Sequence, residues 1–188
     1  MAILIEAVGP PQLRPPVESP FAALVRAITF QQLAGRAAAA IHGRFIANFA
    51  DGLTAGAVLA LPDTAFRTAG LSAAKAASIR DLAAKVAEGT VPLDRIDECS
   101  DDEVVERLRL VRGIGPWTAE MFLIFQLRRP DVWPVDDLGV RKGYGLAHRM
   151  AAPPTPKELL VLGDAYRPFR TVAAWYCWRA AETVLPAG

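Results

Sequence analysis

The sequence predicts an all-α fold of about nine or ten short helices. Three observations carry that expectation. Apolar residues recur three and four apart, as at Leu24, Val25 and Ile28, and again at Ile41, Phe45 and Phe49. Capping signals stand ahead of such runs, among them Ser100-Asp101-Asp102-Glu103 and Thr155-Pro156-Lys157-Glu158. No stretch alternates with period two; Val91, Val132 and Val135 are isolated as strand signals.

In chain order, residues 1–20 carry five prolines and no helical period, and read as an extended arm. Ser19 then caps a helix whose first position is Pro20. A second helix covers about Gly35 to Phe49. Thr54–Leu61 follows, then Asp63–Ala69 after Pro62. Gly70 closes that helix, and Ser72 caps the next, which runs to Gly89. The two capping boxes start further helices at Ser100 and Thr155. Tyr166-Arg167-Pro168 interrupts, and a last helix runs from Phe169 to about Thr183. The most irregular stretch is "RRPDVWPVDD" at 128–137, a crossing between two lobes.

The totals exclude little. Of 188 residues 52% are hydrophobic, enough for a sizeable core. No apolar run reaches the ~18 residues of a membrane span. The first twenty residues lack the basic flank and cleavage site of a secretory signal. Cys99 and Cys177 lie far apart and form no C-x-x-C pair, so side-chain zinc or iron–sulfur ligation is not indicated. A disulfide stays open, with a reduced protein the simpler reading. The net charge of +1 says nothing about nucleic acid, because binding depends on where charge is placed.

The run "LRLVRGIGPWTAEM" at 108–121 breaks a helix at Gly113-Ile114-Gly115-Pro116 and resumes it at once. So sharp a corner needs a residue at φ > 0, which glycine adopts cheaply. Pro116 fits the first turn of the new helix. Backbone N–H groups near Gly113, Gly115 and Trp117 then face outward at a positive helix end, suited to a phosphate. A phosphate contact of this kind positions a protein without reading sequence. The alternative is a tight helix–helix corner whose glycines serve packing alone.

The string L-x-x-V-x-G-I-G-P-W-T-A resembles the helix-hairpin-helix motif of DNA glycosylases, usually L-P-G-V/I-G-x-x-T-A, with Val111-Arg112 in place of Leu-Pro. In that superfamily an aspartate follows about twenty residues later at the start of a helix. Here "WPVDDLGVRKGYG" spans 133–145, and Asp137 lies twenty residues after Trp117. Asp137-Leu138-Gly139-Val140 resembles the D-L-G-L/V segment of the DNA-3-methyladenine glycosylase II family. The resemblance implies that Asp137 carries the chemistry, that Leu138 and Val140 anchor its helix, and that Arg141 and Lys142 meet phosphates. Breaking an N-glycosidic bond builds positive charge on the sugar, which a carboxylate beside C1′ stabilises. A helix N-terminus favours that carboxylate's ionised form. Read alone, Asp136-Asp137 is a helix cap.

Glycosylase-lyases of this superfamily place a nucleophilic lysine in the hairpin helix. Trp117 holds the matching position, implying a monofunctional enzyme with water as nucleophile. A cationic alkylated purine over an aromatic face gains ~0.5–2 kcal/mol. In "AYRPFRTVAAWYCWRAAE" at 165–182, Trp178 matches the tryptophan that faces the flipped base. Trp175 and Tyr166 are further candidates for the pocket, with an aromatic core stripe as the alternative. "TFQQLAGRAA" at 29–38 resembles the segment carrying the exposed side chain that fills the gap in the duplex, placing Gln32 and Leu33 there. Leu33 as core is the alternative. "GLSAAKAASIRDLA" at 70–83 resembles a G-L-x-x-x-K-A segment, with Lys75 near a phosphate or simply solvated. His42 and His148 read as ordinary helix or surface residues.

The resemblance covers about residues 20–183. It implies a two-lobe helix-hairpin-helix glycosylase fold with a cleft between lobes: residues 20–130, and residues 131–188 completed by the arm 1–19. The four-cysteine cluster of other branches is absent, and the N-terminal β-rich lobe of larger members has no counterpart. The implied function is excision of 3-methyladenine- and 7-methylguanine-type bases from duplex DNA, by a monomer with no cofactor and no membrane association. The location would be the cytoplasm, at a bacterial nucleoid, or a nucleus, without secretion. Side chains offer no metal site, and the hairpin backbone over 110–115 is a candidate seat for a monovalent cation. Two rival readings remain: a non-catalytic module binding damaged DNA, and a same-fold glycosylase for oxidised, deaminated or mismatched bases.

Overall fold

The computed structural model describes residues 2–182. Among them the regular structure is helical throughout. The α-helices are α1 (Ala2–Val8), α2 (Pro20–Phe30), α3 (Gly35–Ile46), α4 (Ala55–Ala60), α5 (Asp63–Ala69) and α6 (Ala73–Ala87). They continue with α7 (Asp101–Arg109), α8 (Pro116–Phe125), α9 (Leu138–Ala147), α10 (Pro156–Leu162) and α11 (Arg170–Glu182). Short 3-10 turns cover Ile96–Glu98 and Gly163–Tyr166. Thr183, where the sequence reading ends the last helix, lies outside the described residues. No described helix is long and apolar enough to cross a membrane.

The chain folds as two compact units, residues 16–122 and residues 1–15 with 123–188. The sequence reading set its divisions at 19/20 and 130/131.

In the 16–122 unit, α6 packs against α2, α4 and α5, and α3 packs against α2 and α5. The expected caps Ser19 and Ser72 each accept a backbone N–H three residues on, and Thr54, read as the first helical residue, caps α4 in the same way. Ser100 and Glu103 form a reciprocal capping box. Gly70 ends α5 at φ 94°. The core is aliphatic around two phenylalanines, Phe45 and Phe66, whose ring centroids are 5.2 Å apart. Leu24, Ile28, Ile79 and Leu82 are fully buried in the same unit.

In the other unit, α9 packs chiefly on α11. Gly143 makes that crossing close: a Cβ there would collide with the carbonyl of Cys177. Burial pushes the Cys177 thiol up to about 12, so it stays neutral. The irregular stretch before α9 is pinned to α11. Thr171 Oγ1 donates to the Arg129 carbonyl (2.6 Å) and accepts the Val132 N–H (3.0 Å). Arg170 pairs with Asp131 at 2.6 Å and holds that carboxyl below the usual carboxylate range. The Trp133 indole donates to the Leu159 carbonyl (2.8 Å) and packs where Gly163 leaves room.

The N-terminal arm differs from expectation. Residues Ala2–Val8 are helical, not extended. Leu4 is buried with Trp175, Tyr176 and Ala180 on α11, and the Tyr176 hydroxyl donates to the Gly9 carbonyl (2.9 Å). Seven residues are too few to show a helical period, and tertiary contact decides the conformation.

Candidate active site

Asp137 is the N-cap of α9. Its Oδ1 accepts two hydrogen bonds, from the Val140 N–H at 2.8 Å and from the Trp178 indole N–H at 2.9 Å. Asp137 is buried, with 9% of the residue's surface exposed. A buried polar group needs hydrogen-bond donors to offset its lost hydration, and these two supply them. The Trp178 ring stacks on Phe125, centroids 5.6 Å apart and planes 26° from parallel. Gly139 makes room for this arrangement. A Cβ at 139 would sit 2.9 Å from Trp178 Cδ1 and 3.1 Å from Asp137 Oδ1.

In the 16–122 unit the corner is built as its glycines suggest. Gly113 has φ 78°, and a Cβ there would lie 2.8 Å from Ser78 Oγ. Gly115 faces open space, with nothing within 4 Å of an added Cβ among the described residues. The Arg112 N–H donates to Asp81 (2.7 Å), and the Gln31 amide donates to the Gly113 carbonyl (2.9 Å). Burial raises the Asp81 carboxyl, but the Arg112 N–H and the Lys85 ammonium outweigh it and the net shift is downward. Trp117, second residue of α8, has 46% of its surface exposed. Beside the corner, Gln32 takes a left-handed φ of 55° and Leu33 is 40% exposed, so Leu33 is not a core residue.

Other positions depart from the expected roles. Lys75 contacts backbone carbonyls where a phosphate or solvent was expected: its ammonium donates to Thr29 O (2.7 Å) and Gln31 O (2.8 Å). Burial lowers its pKa. The Arg141 Nε–H goes to the Pro154 carbonyl (2.8 Å), and Lys142 is exposed. Leu138 is 55% exposed and does not anchor α9, whereas Val140 is fully buried. Trp175 is buried against Leu4 and Tyr176, with Arg179 over its ring. Tyr166 packs on Trp133 and its hydroxyl lies 2.7 Å from His148 Nε2. His148 is an exposed residue at the C-terminal end of α9 and also stacks on Tyr144. Among the described residues no group of His, Cys, Asp and Glu could hold a metal ion.

The sequence pattern of the HhH-GPD superfamily base excision DNA repair proteins matches residues 25–163. The chain belongs to this superfamily. DNA-3-methyladenine glycosylase 1 of Schizosaccharomyces pombe is 39% identical over 168 residues, covering 88% of this chain and 74% of the relative. The structure of the S. pombe 3-methyladenine DNA glycosylase in complex with abasic DNA superposes with a TM-score of 0.83 at 37% identity, covering 96% of this chain and 90% of that one. A DNA-3-methyladenine glycosidase from Bacillus halodurans gives a TM-score of 0.86 at 36% identity, covering 96% and 83%.

Within this HhH-GPD protein the acid is held at one oxygen by two directional donors. Such an arrangement fixes the orientation of the carboxyl group without requiring the protein to reorganise. The sequence shows Gly139 as part of the D-L-G segment but not its packing role, although a glycine inside the first turn of a helix has no propensity reason to be there. Sequence reasoning missed Gln31 and Asp81, whose partners lie 82 and 31 residues away. Replacing Trp178 by Phe keeps the ring and removes the N–H. The expected result is about a tenfold slower chemical step, as for a lost hydrogen bond to a charged group. Affinity for abasic DNA should be unchanged. Equal rates would show that the indole does not position the acid.

Proposed function

We propose that the chain is a monofunctional DNA glycosylase that excises alkylated purines of the 3-methyladenine and 7-methylguanine type from duplex DNA, leaving an abasic site. The observation that carries this reading is the Asp137 carboxylate, held by Trp178 and Val140 at the head of α9 in an HhH-GPD chain. The name of the S. pombe relative and the abasic DNA in its structure support the substrate class.

The damaged base leaves the stack, and its C1′–N bond breaks with the electron pair going to the base. A purine cationic from alkylation departs neutral, so no strong acid is required. Asp137 stabilises the positive sugar and orients a water molecule, whose oxygen bonds to C1′. The water's proton passes to Asp137 or to solvent. An indole cannot form a Schiff base, so with Trp117 at the hairpin position strand cleavage is not expected. The exposed Trp117 face offers the cationic base an attraction of ~0.5–2 kcal/mol. The 113–116 hairpin grips a phosphate, and Leu33 fills the space the base vacates. The protein acts as a monomer on DNA in the nucleoid or nucleus.

The test is incubation with methylated duplex DNA followed by chromatography of the released bases, with oxidised and deaminated duplexes in parallel. Free 3-methyladenine and 7-methylguanine with an intact sugar–phosphate strand are expected. Release only from oxidised or deaminated DNA would replace this reading with the same-fold alternative.

A further inference from the structure

Three features of the 16–122 unit share one face of α6. Lys75, Ser78 and Asp81 are three residues apart in sequence, so they line up along that helix. The Lys75 ammonium binds the carbonyls of Thr29, in the last turn of α2, and of Gln31, the residue that follows it. The Ser78 hydroxyl lies under Gly113, and the Asp81 carboxylate takes the Arg112 N–H. The Gln31 side chain closes the circuit by donating to the Gly113 carbonyl. Between these ties stand Gln32, in a left-handed conformation that non-glycine residues rarely adopt, and the exposed Leu33.

An ammonium carries three donors and is strongly hydrated. Placing it half-buried against backbone carbonyls, with both its hydrogen bonds to the end of α2, is a helix C-terminal cap made from a distant helix. Its effect is local: it holds the chain where α2 must stop and reverse. The Gln31 tie then makes the position of that reversal depend on the hairpin. A tip that must penetrate a base stack binds better if its order is present beforehand.

We propose that Lys75 is a positioning residue for the Gln32–Leu33 tip, and that α6 braces this tip and the 112–115 hairpin as one rigid tool for opening the duplex. This rests on the reading of Leu33 as the residue that fills the gap. The brace acts on the step that extrudes the base and not on bond cleavage. It therefore matters most where the stack resists.

The experiment compares Lys75→Met with the wild type in two measurements. The first is amide hydrogen exchange of the free protein at Leu33 and Arg112, whose N–H groups bond to Phe30 and Asp81. Exchange at both is expected to accelerate about tenfold, the loss of one charged hydrogen-bonded cap. The second is single-turnover release of a methylated purine from a fully paired duplex and from a bulge where the base is already unpaired. Release from the paired duplex should fall about tenfold and release from the bulge should hold within about twofold. Leu33→Ala should show the same paired-duplex selectivity, and Lys75→Arg should restore part of it. A purely structural lysine would slow both substrates equally or leave both unchanged, and either result overturns the proposal. So does wild-type exchange at both amides. A wild type that releases no base sinks the glycosylase reading instead. The brace is then judged by amide exchange alone, where acceleration at both Leu33 and Arg112 in Lys75→Met supports it and wild-type exchange overturns it.

Discussion

Asp137→Asn will slow release of methylated bases by roughly 100- to 1,000-fold, about 2.7–4 kcal/mol of transition-state stabilisation. The substitution is informative because it alters so little else. An asparagine oxygen can still accept from the Val140 N–H and the Trp178 indole, both of which now meet Asp137 Oδ1. Asparagine is also as good an N-cap as aspartate. Stability should therefore change by less than about 0.5 kcal/mol. What is removed is the charge proposed to stabilise the developing cation on the sugar. Affinity for abasic DNA should hold, since its dominant contacts are to phosphates. Single-turnover kinetics with a methylated duplex and a binding titration with an abasic one measure the two halves. A variant that keeps its release rate makes Asp137 a helix cap and nothing more. Non-catalytic DNA binding, the rival reading of the sequence, predicts no release by either protein.

The second large effect is on the fold. Gly143→Ala should destabilise the protein by about 3 kcal/mol or more, at the upper end for an overpacked core site. The added Cβ meets the backbone of Cys177, with its Cα at 2.8 Å, and a backbone cannot rotate away as a side chain can. Either α9 or α11 must shift. Thermal unfolding should register this as a fall of roughly 6–12 °C for a chain of this size. Because α9 carries Asp137 at its head and α11 carries Trp178, base release below the melting temperature should fall as well. Gly115→Ala is the control: a Cβ there touches nothing within 4 Å among the described residues, and the melting temperature should stay put. Equal melting temperatures for the two variants would contradict the close crossing of α9 and α11.

How much of this was legible in the sequence depends on the range of each interaction. Caps act over three residues, so Ser19, Ser72, Ser100 and Thr155 announced their helices correctly. The glycine corner was legible because φ > 0 is a local demand, and Gly113 meets it. The helix at Ala2–Val8 was not, because it depends on Leu4 meeting α11 more than 160 residues away. Among the site residues, Asp137 could be picked out by its distance from the hairpin, but its tie to Trp178 spans 41 residues. Trp175 and Trp178 look equivalent on a helical wheel at i, i+3. One is packed beside Leu4 and the other donates to the acid, a difference that only neighbours from other helices create. Lys75 reads as a solvated lysine on a helix, and its carbonyl partners come from α2, 44 and 46 residues earlier.

The most direct test of the account is a crystal structure of the protein bound to duplex DNA containing an abasic site. The account predicts the sugar outside the stack, with C1′ within about 4 Å of the Asp137 carboxylate, close to the ~3–3.5 Å separation of reacting groups. A bound sugar whose C1′ lies more than about twice that distance from Asp137, with another group beside it, would contradict the assignment.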